Sequence, residues 1–199
     1  MGVLEVAEFI GIVAFALSGF WVAVKERLDI LGCFIASFLS ALGGGVIRDV
    51  TVLKLPFAFE NTYPTAIVIA VIFFAFLARL HERSYLEDGK IFLISDTVGL
   101  ASFSITGALV GIEAGLGIVG TALLALVTAV GGGVLRDILL NRVPFMLKED
   151  FYGTVSILAG ISVFLIYDSE REWVLIPIFV FAVFLRLWAA HKGWRLPRI

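Results

Sequence analysis

The sequence predicts an all-α membrane protein. The expected architecture is seven transmembrane helices, an inverted 3+3 repeat plus one C-terminal helix, N-terminus outside and C-terminus in the cytoplasm. Three observations lead there. The mean hydropathy is +1.04, and 60% of the 199 residues are hydrophobic while 16% are charged, more apolar surface than a soluble domain of this size buries. Residues 42–57, LGGGVIRDVTVLKLPF, return at 130–145 as VGGGVLRDILLNRVPF, an offset of 88 with eight of sixteen positions identical. Lysine and arginine fall unequally on the two sides of the apolar runs.

The spans are expected at 4–24, 29–53, 63–80, 91–112, 116–140, 152–167 and 173–191, each near the length needed to cross ~30 Å of hydrocarbon. The first carries Glu5 and Glu8, lacks a basic leader and is copied at 91–112, so it does not read as a signal peptide. The second holds a glycine triplet and stops at Pro56-Phe57, a helix breaker. The fourth copies the first: Glu8 maps to Asp96, Gly11 to Gly99, Phe15 to Phe103 and Ser18-Gly19 to Thr106-Gly107. The fifth copies the second, with Gly32 mapping to Gly120, and stops at Pro144-Phe145. The units are therefore 1–88, 89–170 and 171–199, the last being a seventh helix and tail outside the repeat. Three spans per unit force the second copy to enter the membrane from the opposite side, so the units are related by an axis in the membrane plane.

Orientation follows from the basic residues. One side has Lys25, Arg27, Arg79, Arg83, Lys90, Arg136, Arg142, Lys148, Arg186, Lys192, Arg195 and Arg198; the other has Arg48, Lys54 and Arg171. The richer side is expected in the cytoplasm. The net charge of −2 offers no footprint for nucleic acid. Cys33 is alone, reads as core filler and cannot build a disulfide or metal site. His81 and His191 sit near span ends without ligand-spaced partners. Nothing resembles a nucleophile–base set, a nucleotide loop or a zinc cluster, so neither enzyme activity nor a cofactor is expected.

The triplets Gly43-Gly44-Gly45 and Gly131-Gly132-Gly133 sit inside apolar helices, where three glycines cost roughly 3 kcal/mol of helix propensity relative to alanine. The expected results are a kink or break, close helix approach, or both. A break would free carbonyls, tolerable only toward protein or water and suited to cations; packing without a pore is the plain alternative. Arg48-Asp49 and Arg136-Asp137 follow each triplet. Charges at membrane depth mark functional sites by default, with interfacial snorkelling and capping as the alternative. Adjacent residues on a helix point about 100° apart, so neither Arg-Asp pair is expected to be an ion pair with itself. At ~1.5 Å per residue Arg48 lies about 25 Å along its helix from Leu31, and its counterpart Arg136 belongs toward the opposite face. Glu8 and Asp96 read either as acids that draw cations or protons into a vestibule or as interfacial residues. Ser102, Ser104 and Thr106 form a polar stripe that either bonds back to its own helix or lines a wet path.

On these features, above all GGGxxRD in both halves of a 3+3+1 array, the chain resembles the trimeric intracellular cation (TRIC) channels, in their short prokaryotic form. The resemblance covers nearly the whole chain. It implies a homotrimer in the plasma membrane of a prokaryote, each subunit holding a potassium-permeable pore between its halves, lined by the glycine-kinked second and fifth helices. Potassium and sodium ions, passing transiently, and the lipid bilayer are the partners it implies. Carried over residue by residue, the six triplet glycines are the pore kinks. Arg48, Asp49, Arg136 and Asp137 are flanking polar elements, and Ser18 and Thr106 small polar positions beside the pore. The alternative is a secondary transporter of a small amino acid such as glycine, rocking around a closed midplane site.

Overall fold

The computed structural model describes residues 2–82, 90–148, 151–168 and 172–194. Among them are α1 (Val3–Lys25), α2 (Ile30–Thr51), the single turn α3 (Phe57–Glu60), α4 (Tyr63–Leu77), α5 (Lys90–Glu113), α6 (Ile118–Leu139), the single turn α7 (Phe145–Lys148), α8 (Tyr152–Ile166) and α9 (Leu175–Lys192). Helices stand at all seven expected places. Five, α1, α2, α5, α6 and α9, are long and apolar enough to cross a membrane. The two others, α4 and α8, have 15 residues each, about 22 Å of helix, short of the ~30 Å core. The chain is a multi-pass membrane protein. The expected unit boundaries at 88/89 and 170/171 lie outside the described residues, as do Arg83, Arg171, Arg195 and Arg198.

The offset of 88 governs the whole architecture. Moved by 88 residues, α2 and α3 coincide with α6 and α7, and α1 and α4 match α5 and α8 to within one residue. α1, α2, α6 and α5 close a four-helix ring, each packed on the next. α4 flanks α1 and α2, and α8 repeats this on α5 and α6. α9 has no counterpart and packs on α5 and α8.

Reciprocal contacts give the sense of the repeat. The exposed turn after α2 meets the end of α5 through Lys54 Nζ and Glu113 Oε2 at 3.1 Å. The turn after α6 meets the end of α1 through Arg142 and Glu26 at 3.3 Å. The ends of α1 and α6 therefore share one face of the ring, here face A, and those of α2 and α5 share the opposite face B. α2 runs from A to B and α6 from B to A, so the halves are inverted. Phe15 and its copy Phe103 stack across the pseudo-twofold axis, centroids 5.5 Å apart. A methyl built on Gly11 would touch the Phe103 ring, and one on Gly99 the Phe15 ring.

Candidate functional site

The two glycine triplets face each other where α2 crosses α6. Both helices run through them without interruption, so the expected break is absent and the close approach is realised. In an apolar setting no water competes for the carbonyls, and intrahelical hydrogen bonds outweigh glycine's propensity deficit. The approach is tight. A Cβ on Gly44 would fall 2.0 Å from the Thr128 carbonyl oxygen, and one on Gly132 2.4 Å from that of Ser40. Thr128 is the copy of Ser40, so these two clashes are one contact seen from each half. Gly43 meets Leu135 Cδ1 and the Gly132 backbone, while Gly131 meets Ile47 Cδ1 and the Gly44 backbone.

Arg48 and Arg136 are buried, as are Asp49 and Asp137, which removes the snorkelling alternative. It also removes Arg48 and Arg136 from the loop charges used to orient the chain; Arg186, 1% exposed, must be removed with them. Contrary to expectation, each arginine pairs with its own neighbour. Arg48 Nε donates to Asp49 Oδ1 at 2.7 Å, and Arg136 Nε donates to Asp137 Oδ1 at 2.9 Å. The 100° argument holds for Cβ directions; the long arginine side chain folds back across that angle in a setting with no water to hydrate either charge. The second aspartate oxygen accepts a backbone N–H eight residues on, from Phe57 at 2.9 Å and from Phe145 at 2.8 Å. Each aspartate thus ties a single helical turn, α3 or α7, back against the end of its long helix. Pro56-Phe57 and Pro144-Phe145, read from sequence as breakers only, deliver that N–H and an aromatic ring. The signal was present as the fixed spacing from aspartate to the residue after proline.

Beyond this shared core the halves diverge. Near face B, Arg48 Nη1 reaches Glu8 Oε1 at 3.1 Å, and its guanidinium lies 5.2 Å from the centroid of the Phe57 ring. Near face A, Arg136 Nη1 donates instead to Ser40 Oγ at 3.2 Å. The copy of Glu8, Asp96, is 5% exposed. Its Oδ1 accepts a long bond from Ser18 Oγ at 3.4 Å, the Tyr152 hydroxyl faces the same carboxylate as a donor, and Oδ2 makes no close hydrogen bond among the described residues. Asp96, Ser40, Arg136, Asp137, Phe145 and Tyr152 border a cavity of about 10 Å³, the size of one water molecule. Both acids are therefore buried, so the interfacial reading fails for each. Thr106, the copy of Ser18, bonds back to Phe103 O at 3.3 Å. Ser104 bonds back to Leu100 O and also meets Ser156 Oγ at 2.7 Å, so these two follow the back-bonding reading. Ser102 Oγ is buried with no partner among the described residues.

Sequence reasoning missed Ser40, Tyr152 and Arg186. Arg186 on α9 lies 5.1 Å from the centroid of the Tyr152 ring, and Tyr152 packs edge-on against Phe145. Only the apolar surroundings of Arg186 in VFAVFLRLWAA signalled that it was not a loop charge. Cys33 is buried in the core, as expected. Among the described residues no group of three or more His, Cys, Asp or Glu could hold a metal ion.

The chain matches a family model described as "Glycine transporter" over residues 5–79 and 93–168, the two repeats read above. It is 33% identical over 195 residues to a UPF0126 membrane protein of Bacillus subtilis, covering 97% of this chain and 95% of the relative. It is 32% identical to a UPF0126 membrane protein of Deinococcus radiodurans, covering 96% and 91%. A UPF0126 inner membrane protein of Escherichia coli is 28% identical, covering 96% and 93%. Among solved structures, one described as the structural basis for conductance through TRIC cation channels superposes with a TM-score of 0.85 at 35% identity, covering 98% of this chain and 96% of that one. A TRIC orthologue from Rhodobacter sphaeroides superposes at 0.84 with 26% identity, covering 98% and 100%. With both repeats matched by the model and the fold matched end to end, the chain belongs to the UPF0126 family, the prokaryotic members of the TRIC channel family.

Proposed function

We propose that the chain is a potassium-permeable monovalent-cation channel that works as a homotrimer with one pore in each subunit. The observation that carries this reading is the end-to-end likeness, at a TM-score of 0.85, to a TRIC cation channel. The repeats 1–88 and 89–170 would form the walls of each pore, and 171–199 would pack outside it. The membrane would be a prokaryotic plasma membrane, N-terminus outside, C-terminus in the cytoplasm. Face A would then be cytoplasmic, in keeping with Lys25, Arg27 and Arg142 on that side.

The chemistry of the site fits a weakly selective cation path. A dehydrated potassium ion is about the size of a water molecule, and the face A cavity is of that size. Asp96 Oδ2 and the hydroxyls of Ser18 and Ser40 would replace part of the ion's hydration shell. Arg136 on the same cavity would keep binding weak, as passage requires. Farther in, the triplets at Gly43–Gly45 and Gly131–Gly133 touch across the ring, so flux requires α2 and α6 to part. Those glycines are then the constriction rather than carbonyl ligands, and Arg48, Asp49, Arg136, Asp137, Glu8 and Thr106 flank it.

The test is planar-bilayer recording of the purified chain under a potassium gradient, paired with a glycine gradient free of permeant cations. Discrete current steps reversing near the potassium potential are expected. Saturable glycine uptake into liposomes with no unitary current would overturn the channel and turn the α2–α6 contact into the hinge of a transporter.

A further inference from the structure

The two halves carry the same parts in two different settings. In the first, Phe57 lies against Gly45, where an added Cβ would come within 2.4 Å of its ring, and Arg48 holds Glu8. In the second, a Cβ on Gly133 would meet nothing nearer than the Arg136 guanidinium at 3.8 Å. Phe145 has turned to Phe92 and Tyr152, centroids 5.7 Å away in each case. Arg136 bonds Ser40 where Arg48 bonds Glu8, and Arg136 and Asp96 both line the face A cavity. Most parts needed for the exchanged arrangement are present, though Leu4 and Pro64 stand where the second half has Phe92 and Tyr152. Asp96 stands where Glu8 stands, Gly133 repeats Gly45, and Thr128 offers Arg48 the hydroxyl that Ser40 offers Arg136.

We propose that these are two positions of one latch and that the halves trade them. In the state described, the face B latch is shut and the face A latch open. In the exchanged state Phe145 covers Gly133 with Arg136 on Asp96, while Phe57 leaves Gly45 and Arg48 moves from Glu8 to Thr128. The inversion makes the exchange a swap of which membrane face reaches the centre. Each latch is a packed ring plus an ion pair, a bistable element. Phe57 bears on α2 at Gly45 and Arg136 ties α6 to α2 at Ser40, so both latches bear on the two helices that meet at Gly44 and Gly132. For the channel read above, on which the latch rests only for its purpose, the described and exchanged states are each shut at one face, and ions pass when both latches are released together.

Two alanine substitutions bias the pair in opposite senses. Gly133→Ala fits the present state and blocks the return of Phe145; Gly45→Ala expels Phe57. The experiment uses the full chain in liposomes with Cys33→Ala, a single cysteine at Ala58 beside the face B latch or at Met146 beside the face A latch, and a membrane-impermeant thiol reagent applied from each side. Gly133→Ala is expected to slow labelling at 58 and speed it at 146, and Gly45→Ala to do the reverse, by about tenfold each way. Phe145→Ala in the Gly133→Ala chain should restore the parent rates, which a merely misfolded variant cannot do. Unchanged rates at both sites in both variants would overturn the exchange. The halves would then be fixed by their unmatched residues, Leu4 and Pro64 against Phe92 and Tyr152. The readout is independent of current: reciprocal labelling in a chain that passes no ions would sink the channel and keep the latch.

Discussion

Four glycine-to-alanine changes in the triplets add the same methyl to the same kind of helix, yet the structure gives them different signs. In Gly44→Ala the new Cβ starts 2.0 Å from the Thr128 carbonyl oxygen. Ordinary contact begins beyond 3.4 Å, and the obstacle is backbone, so α2 and α6 must part by about 1 Å. A gap of 0.5–1 Å forfeits roughly a quarter to a half of each dispersion contact across the crossing. Overpacking of this kind costs about 1–3 kcal/mol, against about 1 kcal/mol gained in helix propensity. The expected net is a loss of about 1–2 kcal/mol. Gly132→Ala meets backbone oxygens at 2.4 and 2.6 Å and should lose about as much. Gly43→Ala meets a leucine methyl at 3.1 Å and the Gly132 Cα at 3.2 Å, and should be near neutral. Gly133→Ala meets only the Arg136 guanidinium at 3.8 Å, an ordinary contact, and should gain about 1 kcal/mol. Denaturant unfolding in detergent micelles, followed by tryptophan fluorescence, ranks the four. Equal stability of Gly44→Ala and Gly133→Ala would refute the close-approach role of the crossing. At larger volume, Gly44→Leu and Gly132→Leu should abolish potassium flux with the protein still inserted.

Arg27 and Leu53 hold left-handed backbone at φ 54 and 59, and the copy of Arg27 is Gly115 at φ 73. Arg27→Gly and Leu53→Gly should each stabilise by about 1 kcal/mol, since the left-handed conformation penalises a Cβ; a lower unfolding midpoint would contradict the turn geometry. Asp137→Asn leaves an acceptor for the Phe145 N–H but strips the buried Arg136 of its counter-charge. It should cost about 3–5 kcal/mol and alter gating or cation preference in single-channel records; wild-type stability and permeation would reduce the residue to a spacer. Asp96→Asn should lower potassium conductance without the same loss of stability, because its partners are the Ser18 and Tyr152 hydroxyls, which an amide oxygen can still accept from; undiminished conductance would remove Asp96 from the path. Lys54→Gln breaks an ion pair whose side chains are about half exposed, and unfolding should register less than about 1 kcal/mol.

Much of this architecture was legible because the repeat is written residue by residue. The identity of GGGxxRD in both halves fixed α2 against α6. The inversion expected from three spans per unit agrees with the opposed directions of α2 and α6, and the pairs Gly11/Gly99 and Phe15/Phe103 proved to be the contacts on the axis itself. What failed were inferences from local geometry. The adjacent Arg-Asp pairs close because a long side chain in a dry interior reaches its neighbour whatever angle separates the Cβ atoms. The triplets stay helical because propensity measured in water overstates the penalty where nothing else can bond the carbonyls. The difference between Arg48 on Glu8 and Arg136 on Ser40 is carried by small changes that no motif announces: Asp96 is one methylene shorter than Glu8, and Phe92 and Tyr152 replace Leu4 and Pro64.

Charge makes that difference intelligible. Each half buries one arginine among two carboxylates: Arg48 with Asp49 and Glu8, Arg136 with Asp137 and Asp96. A buried excess of negative charge is expensive unless it is paired. On face B both carboxylates bond the one arginine. On face A the arginine serves Asp137 and Ser40, and a second cation, Arg186, stands over the ring of Tyr152, which itself lines the cavity. It comes from α9, the one long helix with no copy in the repeat. α9 therefore does more than cover the flank of α5 and α8. It brings to the second half a positive charge that the duplication did not supply, and with it the means to leave an acid unbridged beside a water-sized space. An inverted repeat alone would give the two arrangements equal weight; the added helix biases the pair toward the one described.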